Sequence, residues 1–528
     1  MFGDIRYKLS YMLNLCYIYC VCLYIHHVAF LAILCLAWTA CVKLPTNEEL
    51  ALKTNVRNEF HNKEILKHIG DSNLDMRNLD YIQTFFALFP DPILEKIILQ
   101  SLESNTNLLI LESKIRQARA TAKVNTWNLF PKANANLNYN YSDSNYQRIQ
   151  TNVTQNTTNV ALSFNWEVDI FGKLNALRLA NKEQVLQSIQ NLYQAQVVLI
   201  GDVANYYFLI RQIAQSILIN EKITNNLEQI YLLTNQKYHL GLIGIDSVAT
   251  TKSNYLSQKN VTLNLNYVLE QNKNALLLLL NKNELGFDIG NIDYIFNEGK
   301  IPSINSLSSS IVFNRPDVKS SVFALNSSLY QRHNKKMALF PNININGSLG
   351  QILFSPRNSL GDMVWQIASS LAMPLLNRQS ITQDYIMSKE DTKQAFYTLQ
   401  NTINTAVSEI ENATKNMEIT NTALAISQED FANNKNTFEI MESRYKQNLI
   451  DDISRLEYAN TYLRAKNSLL SAYLAQNQAV IAFYKAFGGN LVPSQSIYHI
   501  DMQRDRILED YRIYESKKSK KEDIANDL

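Results

Sequence analysis

The chain has 528 residues, with 50 Lys and Arg against 48 Asp and Glu and a formal net charge of +2. The signs are interspersed, so there is no basic field for nucleic acid and nothing that points to an acidic substrate. Only 14 glycines and 10 prolines are present, too few for a chain of tight turns, so long uninterrupted elements are expected.

All five cysteines, Cys16, Cys20, Cys22, Cys35 and Cys41, lie at the N-terminus, which excludes a disulfide framework or cysteine metal site farther on. From Leu9 to Val42 there is no Asp, Glu, Lys or Arg, and the run VAFLAILCLAW leads into Thr39, Ala40 and Cys41. Residues 1–41 read as a secretory signal ending at a lipid-acceptor cysteine; the alternative is an uncleaved anchoring helix, for which the segment is also long enough. An N-terminal segment, 42–90, follows. Asp91-Pro92 then marks a helix start, because proline in a first turn costs no hydrogen bond.

LFPKANANLNYN at 129–140 opens the first strand pattern: Ala133, Ala135, Leu137, Tyr139 and Tyr141 alternate with asparagines from Asn134 to Asn140. Such alternation makes a strand with one greasy and one wet face. After a polar stretch, SDSNYQRIQTNVTQNTT, alternation resumes at Val160, Leu162, Phe164, Trp166 and Val168. A hairpin at about 131–170 with a long hydrophilic tip is expected. From about Leu174 to Lys237 there is no proline and one glycine, Gly201. One helix of that length is on the order of 90 Å long, more than a globular core can cover.

The whole pattern then recurs. LFPNININGSLG at 339–350 echoes the first strand 210 positions later (339 minus 129), and a second hairpin is expected at about 341–373. A second long helix should run from about Ser380 to Asn448, and the break KYHLGLIGIDS at 237 matches RYKQNLIDDIS at 444. Leu449, Leu456, Leu463 and Leu470 recur in sevens, as in helix-on-helix packing. The chain is thus an internal two-fold repeat, 91–285 and 313–489, joined by a connector at 286–312 rich in Gly, Ser and Asn. A charged C-terminal segment, 490–528, closes it.

Four strands with a continuous greasy face need a partner. If lipid is that partner, the backbone is satisfied only by closure into a barrel, and four strands cannot close alone. Several chains must then share one barrel. Trp127, Phe130, Tyr139, Trp166, Phe340 and Trp365 stand at strand ends, where membrane interfaces favour aromatics.

The repeated LFP-strand, SFNWEVDIFGKL at 163–174, Arg315-Pro316-Asp317-Val318, and the run from RYKQNL to KAFGG at 444–489 together resemble the TolC-like outer-membrane factor family. Within it they are most similar to the OprM-type efflux lipoproteins. The resemblance spans about residues 90 to 490. It implies a homotrimer in which four strands per chain form a twelve-stranded transmembrane β-barrel, continued by a long all-α barrel through the periplasm. It further implies a passive outer-membrane duct, anchored in lipid at Cys41, that exports small molecules. The partners would be a periplasmic adaptor protein and an inner-membrane transporter of RND or ABC type. No enzyme motif and no cofactor pattern is found.

By the same resemblance the turns at 241–248 and 448–457 form the periplasmic tip and its closed aperture. Arg444 and Tyr445 match the family pattern, but its usual glycine is Asn448 here, and Leu456-Glu457-Tyr458-Ala459-Asn460 departs from the usual run. Ile453, Glu457 and Asn460 fall on one helical face, which by resemblance constricts the pore. Glu457, with Asp451 and Asp452 nearby, would form an acidic ring favouring cations. Capping of the returning helix is expected of Asp452, with Asp451 left open between cap and ring. Gly241 is retained in the first copy, and Asp246 is expected to cap. Two other readings stay open: an exit channel for protein or peptide secretion, and a membrane-anchored coiled-coil scaffold without a pore.

Overall fold

The computed structural model describes residues 44–46, 49, 81–146, 151–284, 309–355 and 359–489. The leader 1–41 with Cys41, most of 42–90, most of the connector 286–312, and 490–528 lie outside the described residues.

In chain order, helices α1 (Tyr81–Leu88), α2 (Pro92–Ser104) and α3 (Thr106–Trp127) precede strands β1 (Lys132–Tyr146) and β2 (Thr151–Val168). Helix α4 (Lys173–His239) follows, and α5 (Ile245–Leu280) returns. After a short 3-10 turn, Ser309–Asn314, the order repeats as α6 (Pro316–Met337), β3 (Asn342–Ser355), β4 (Ser359–Ala372), α7 (Arg378–Lys446) and α8 (Asp452–Ala486). The duplication is legible in single bonds. Phe130 N donates to Trp127 O at 3.1 Å, and Phe340 N to Met337 O at 3.1 Å. Pro131 and Pro341 come next, and with no N–H to give they end both helices at the same step.

The chain divides into two compact units. The first holds the sheet, together with 112–189 and 320–399. All four strands are antiparallel, in the order β1-β2-β3-β4. Ala135 lies opposite Leu162, Leu162 opposite Leu349, and Leu349 opposite Trp365, so the greasy positions of all four strands share one face. Leu137 is 73% exposed, Trp365 73% and Ile367 74%; the described residues supply no cover for these side chains.

The polar stretch of the first hairpin is paired as far as the described residues go, and its tip, 147–150, lies outside them. Ser142 to Tyr146 stay paired with Gln155 to Thr151, so the ladder runs on through the polar stretch. Backbone pairing needs no greasy side chain, and Thr, Asn and Gln continue the strand where no membrane-matching alternation remains. At the other end, Asp169 accepts from Leu174 N (3.0 Å) and Asn175 N (2.7 Å), starting α4 after Gly172 turns at φ 73°. The Trp166 indole donates to Leu129 O at 2.9 Å, and Phe171 stacks on Phe340 with centroids 5.3 Å apart.

The second unit comprises 46–111, 190–319 and 400–528, and its described core is aromatic. Phe85 meets Tyr484 at 5.0 Å and Phe89 meets Phe208 at 5.1 Å, all four buried. Asp91 caps α2 and also accepts from Tyr207 Oη (2.7 Å) and Arg211 Nη1 (3.0 Å). Burial is the main reason the Tyr207 hydroxyl is pushed far above its ordinary pKa.

Two of the sequence runs that carried the family resemblance meet here. Arg315, 3% exposed, donates to Asp317, to Glu409 (2.6 Å) and to the Ala486 carbonyl (2.6 Å). Gly488, at φ 65°, lies so close that a Cβ there would come within 2.8 Å of Pro316 Cδ. The RPDV helix start and the KAFGG helix end are therefore two sides of one contact.

Candidate functional site

The two helix-to-helix tips are built alike, 207 residues apart. Gly241 N donates to Tyr238 O (2.8 Å) and Leu242 N to Lys237 O (3.0 Å). At the equivalent positions Asn448 N donates to Tyr445 O (2.9 Å) and Leu449 N to Arg444 O (3.0 Å). Gly241 has φ 74° and Asn448 φ 58°. Asparagine tolerates this left-handed turn better than other side chains, so the loss of the family's usual glycine leaves the turn intact.

The caps differ from expectation. Asp451, not Asp452, is the N-cap of α8: its carboxylate accepts from Ser454 N at 3.0 Å. Asp452 is the first helical residue and pairs with Arg455 at 2.6 Å. Both residues carry the same carboxylate, and only the backbone decides which lies just outside the helix. In the first copy the cap position is Gly244, which has no side chain to cap with, and Asp246 lies inside α5. The cap expected of Asp246 is thus absent, because α5 starts one residue before it.

Asp451 has a second bond that the sequence did not suggest. Lys237 Nζ, at the end of α4, donates to Asp451 Oδ2 at 2.9 Å and ties the tip of one repeat to the tip of the other. The Ser454 hydrogen bond, then that from Lys237, holds the Asp451 carboxyl down at about 2. Sequence spacing gave no sign of this pair, since the partners are 214 residues apart (451 minus 237) on different helices. Arg455 is a further residue missed. Besides Asp452, it reaches Glu442 at 3.8 Å and covers the Tyr445 ring at 4.8 Å, while Arg444 is exposed.

The face expected to hold Ile453, Glu457 and Asn460 is split. Asn460 is 3% exposed and accepts from Asn226 Nδ2 at 2.8 Å, so it is spent on packing α8 against α4. Glu457 is exposed and Ile453 half-buried. Glu457 and Asn460 border one groove of about 300 Å³, with Leu227 and Ile230 of α4 and Arg464 farther along α8. A helical face covers a wide angle, and the neighbouring helix takes one side of it. Leu240, Leu242 and Leu449 at the tips are 73%, 68% and 67% exposed, apolar ends without cover among the described residues.

The family model described as "Outer membrane efflux protein" matches residues 97–282 and 307–489. Among curated relatives, the chain is 22% identical over 430 residues to the probable efflux pump outer membrane protein TtgC of Pseudomonas putida, covering 77% of this chain and 85% of the relative. It is 21% identical over 411 residues to the probable outer membrane lipoprotein SilC of Salmonella typhimurium, covering 76% and 87%. Among solved structures, the CmeC outer membrane channel of Campylobacter jejuni superposes with a TM-score of 0.74 at 21% identity, over 86% of this chain and 95% of that one.

Proposed function

The chain belongs to the outer membrane efflux protein family, and from that premise we propose that it is the outer-membrane exit duct of a tripartite efflux system. The sheet carries this reading. Among the described residues its four strands leave both outer edges, β1 and β4, without a paired strand, and one face is apolar with Leu137, Leu162, Leu349, Trp365 and Ile367 exposed. In lipid such edges are tolerated only when closed. Three copies supply twelve strands, and β4 of one copy is antiparallel to β1 of the next, as closure requires.

The duct is passive: solutes cross it down the gradient that an inner-membrane transporter of RND or ABC type creates, through a periplasmic adaptor. Cys41 carries the lipid anchor, consistent with the lipoprotein name of SilC. The apolar tip residues Leu240, Leu242 and Leu449 are the surface for the adaptor. Glu457 and Ile453 narrow the aperture, and Arg444, Tyr445, Asp451, Asp452, Gly241 and Asp246 shape the tip. Asn460 is withdrawn from the aperture by its bond to Asn226.

The test is direct. Protein extracted from the outer membrane should have the native mass of three chains and conduct ions in planar bilayers. A monomer confined to the soluble or inner-membrane fraction refutes the reading.

A further inference from the structure

The wet face of the sheet has an unusual chemistry once its rungs are assembled. Asn134 lies opposite Ser163, Ser163 opposite Ser348, and Ser348 opposite Gln366. The next rung outward is Asn136, Ala161, Gly350 and Val364. The amides and hydroxyls are tied sideways: Asn165 Nδ2 donates to Asn346 Oδ1 at 2.7 Å, and Asn136 Nδ2 to Ser163 Oγ at 2.9 Å. Side chains that bond to one another in this way are a fixed lining.

Among the described side chains of this belt, charge stands only at the helix end. At the helix end are Lys132, opposite Asn165, and Glu167, which Lys173 pairs. Farther out on β4, Asp362 falls within the register shift between Gln351 and Leu353, so the ladder does not assign it to a rung. From Lys132 to the Asn136 rung is two rungs, about 13 Å at strand rise. The Asn136 rung is thus beyond a Debye length of about 8 Å at physiological salt from the helix-end charges.

Resting on the duct reading above, we propose that the membrane-crossing part of the passage is a charge-neutral, amide-lined sleeve. It passes polar solutes of either sign, so discrimination by charge belongs to the helical part and its tip. Neutral amides and hydroxyls offer both donors and acceptors to a passing solute, and neither sign is concentrated or repelled.

The local potential is measurable, because the chain has no cysteine beyond residue 41. Asn136→Cys and Ser348→Cys, each in the full-length protein in liposomes, are reacted with a cationic and an anionic methanethiosulfonate of similar size. Expected is a cation-to-anion rate ratio within about threefold of that for a free small thiol, since a charged cleft would move it tenfold or more. A ratio displaced further than threefold at either position overturns the neutral sleeve. Leu137→Cys on the greasy face is the separate control. If it reacts as fast as Asn136→Cys, the barrel reading fails, whatever the ratio.

Discussion

At the scale of single residues, two positions decide the second tip. Asn448 sits at φ 58°, where a β-branched side chain costs roughly 1–2 kcal/mol and glycine costs nothing sterically. Asn448→Val should therefore open the tip to limited proteolysis at 447–451, while Asn448→Gly should leave the cleavage rate unchanged; equal cleavage of the two would refute a strained turn. Asp451 carries both the cap and the link to Lys237. Its carboxyl is depressed to about 2, so this contribution is present above the ordinary carboxylate pKa of about 4 and lost as pH falls toward 2. Conductance should then show no Asp451-dependent change between pH 5 and 8. Lys237→Ala or Asp451→Asn should raise the open fraction at neutral pH, and high salt, which screens so exposed a pair, should narrow the gap to wild type. Variants indistinguishable from wild type at low salt would remove the link from the closed state.

At the scale of elements, the long helices were legible because nothing interrupts them: α4 and α7 run 67 and 69 residues with Gly201 as their one glycine. The Phe-Pro breaks and the alternating strands were legible for the same reason, since both are local. What the helices do at their ends was not. The α6 start and α8 end join through Arg315, Gly488 and the Ala486 carbonyl, residues more than 170 positions apart in sequence (486 minus 315). Gly488→Ala both forces a side chain into φ 65° and presses on Pro316. It should cost about 1–2 kcal/mol or more, seen as a lower temperature of thermal inactivation of conductance. A Gly201→Ala variant is the comparison: its Cβ would meet the Lys485 side chain at 2.5 Å, a flexible neighbour, so the loss should be smaller. The reverse order would mean that the α6–α8 junction is not the tighter one.

At the scale of the whole molecule, the sheet leaves an apolar face and two outer strands, β1 and β4, which in the proposed trimer lipid and two further copies would complete. Under three-fold symmetry a single exposed carboxylate becomes three. Glu457→Gln should accordingly lower cation preference, read as a smaller reversal potential across a salt gradient; an unchanged potential would dismiss the acidic ring. Asp451 and Asp452 contribute less to such a ring than their sequence position suggests, because Lys237 and Arg455 are already bonded to them.

The sequence alone determined the two-fold repeat, the hairpins with one greasy face and the helix lengths, because these are written in periodicity and in local breaks; the family followed from the resemblance of its motifs. Tertiary structure decided which carboxylate caps α8, that Asn460 turns to Asn226, and that Lys237 meets Asp451. Each of these depends on how helices distant in sequence lie side by side, and periodicity names a face but not the neighbour that covers it. LFPKANANLNYN foretold a strand; only the register across four strands showed that Asn134 stands in line with Ser163, Ser348 and Gln366.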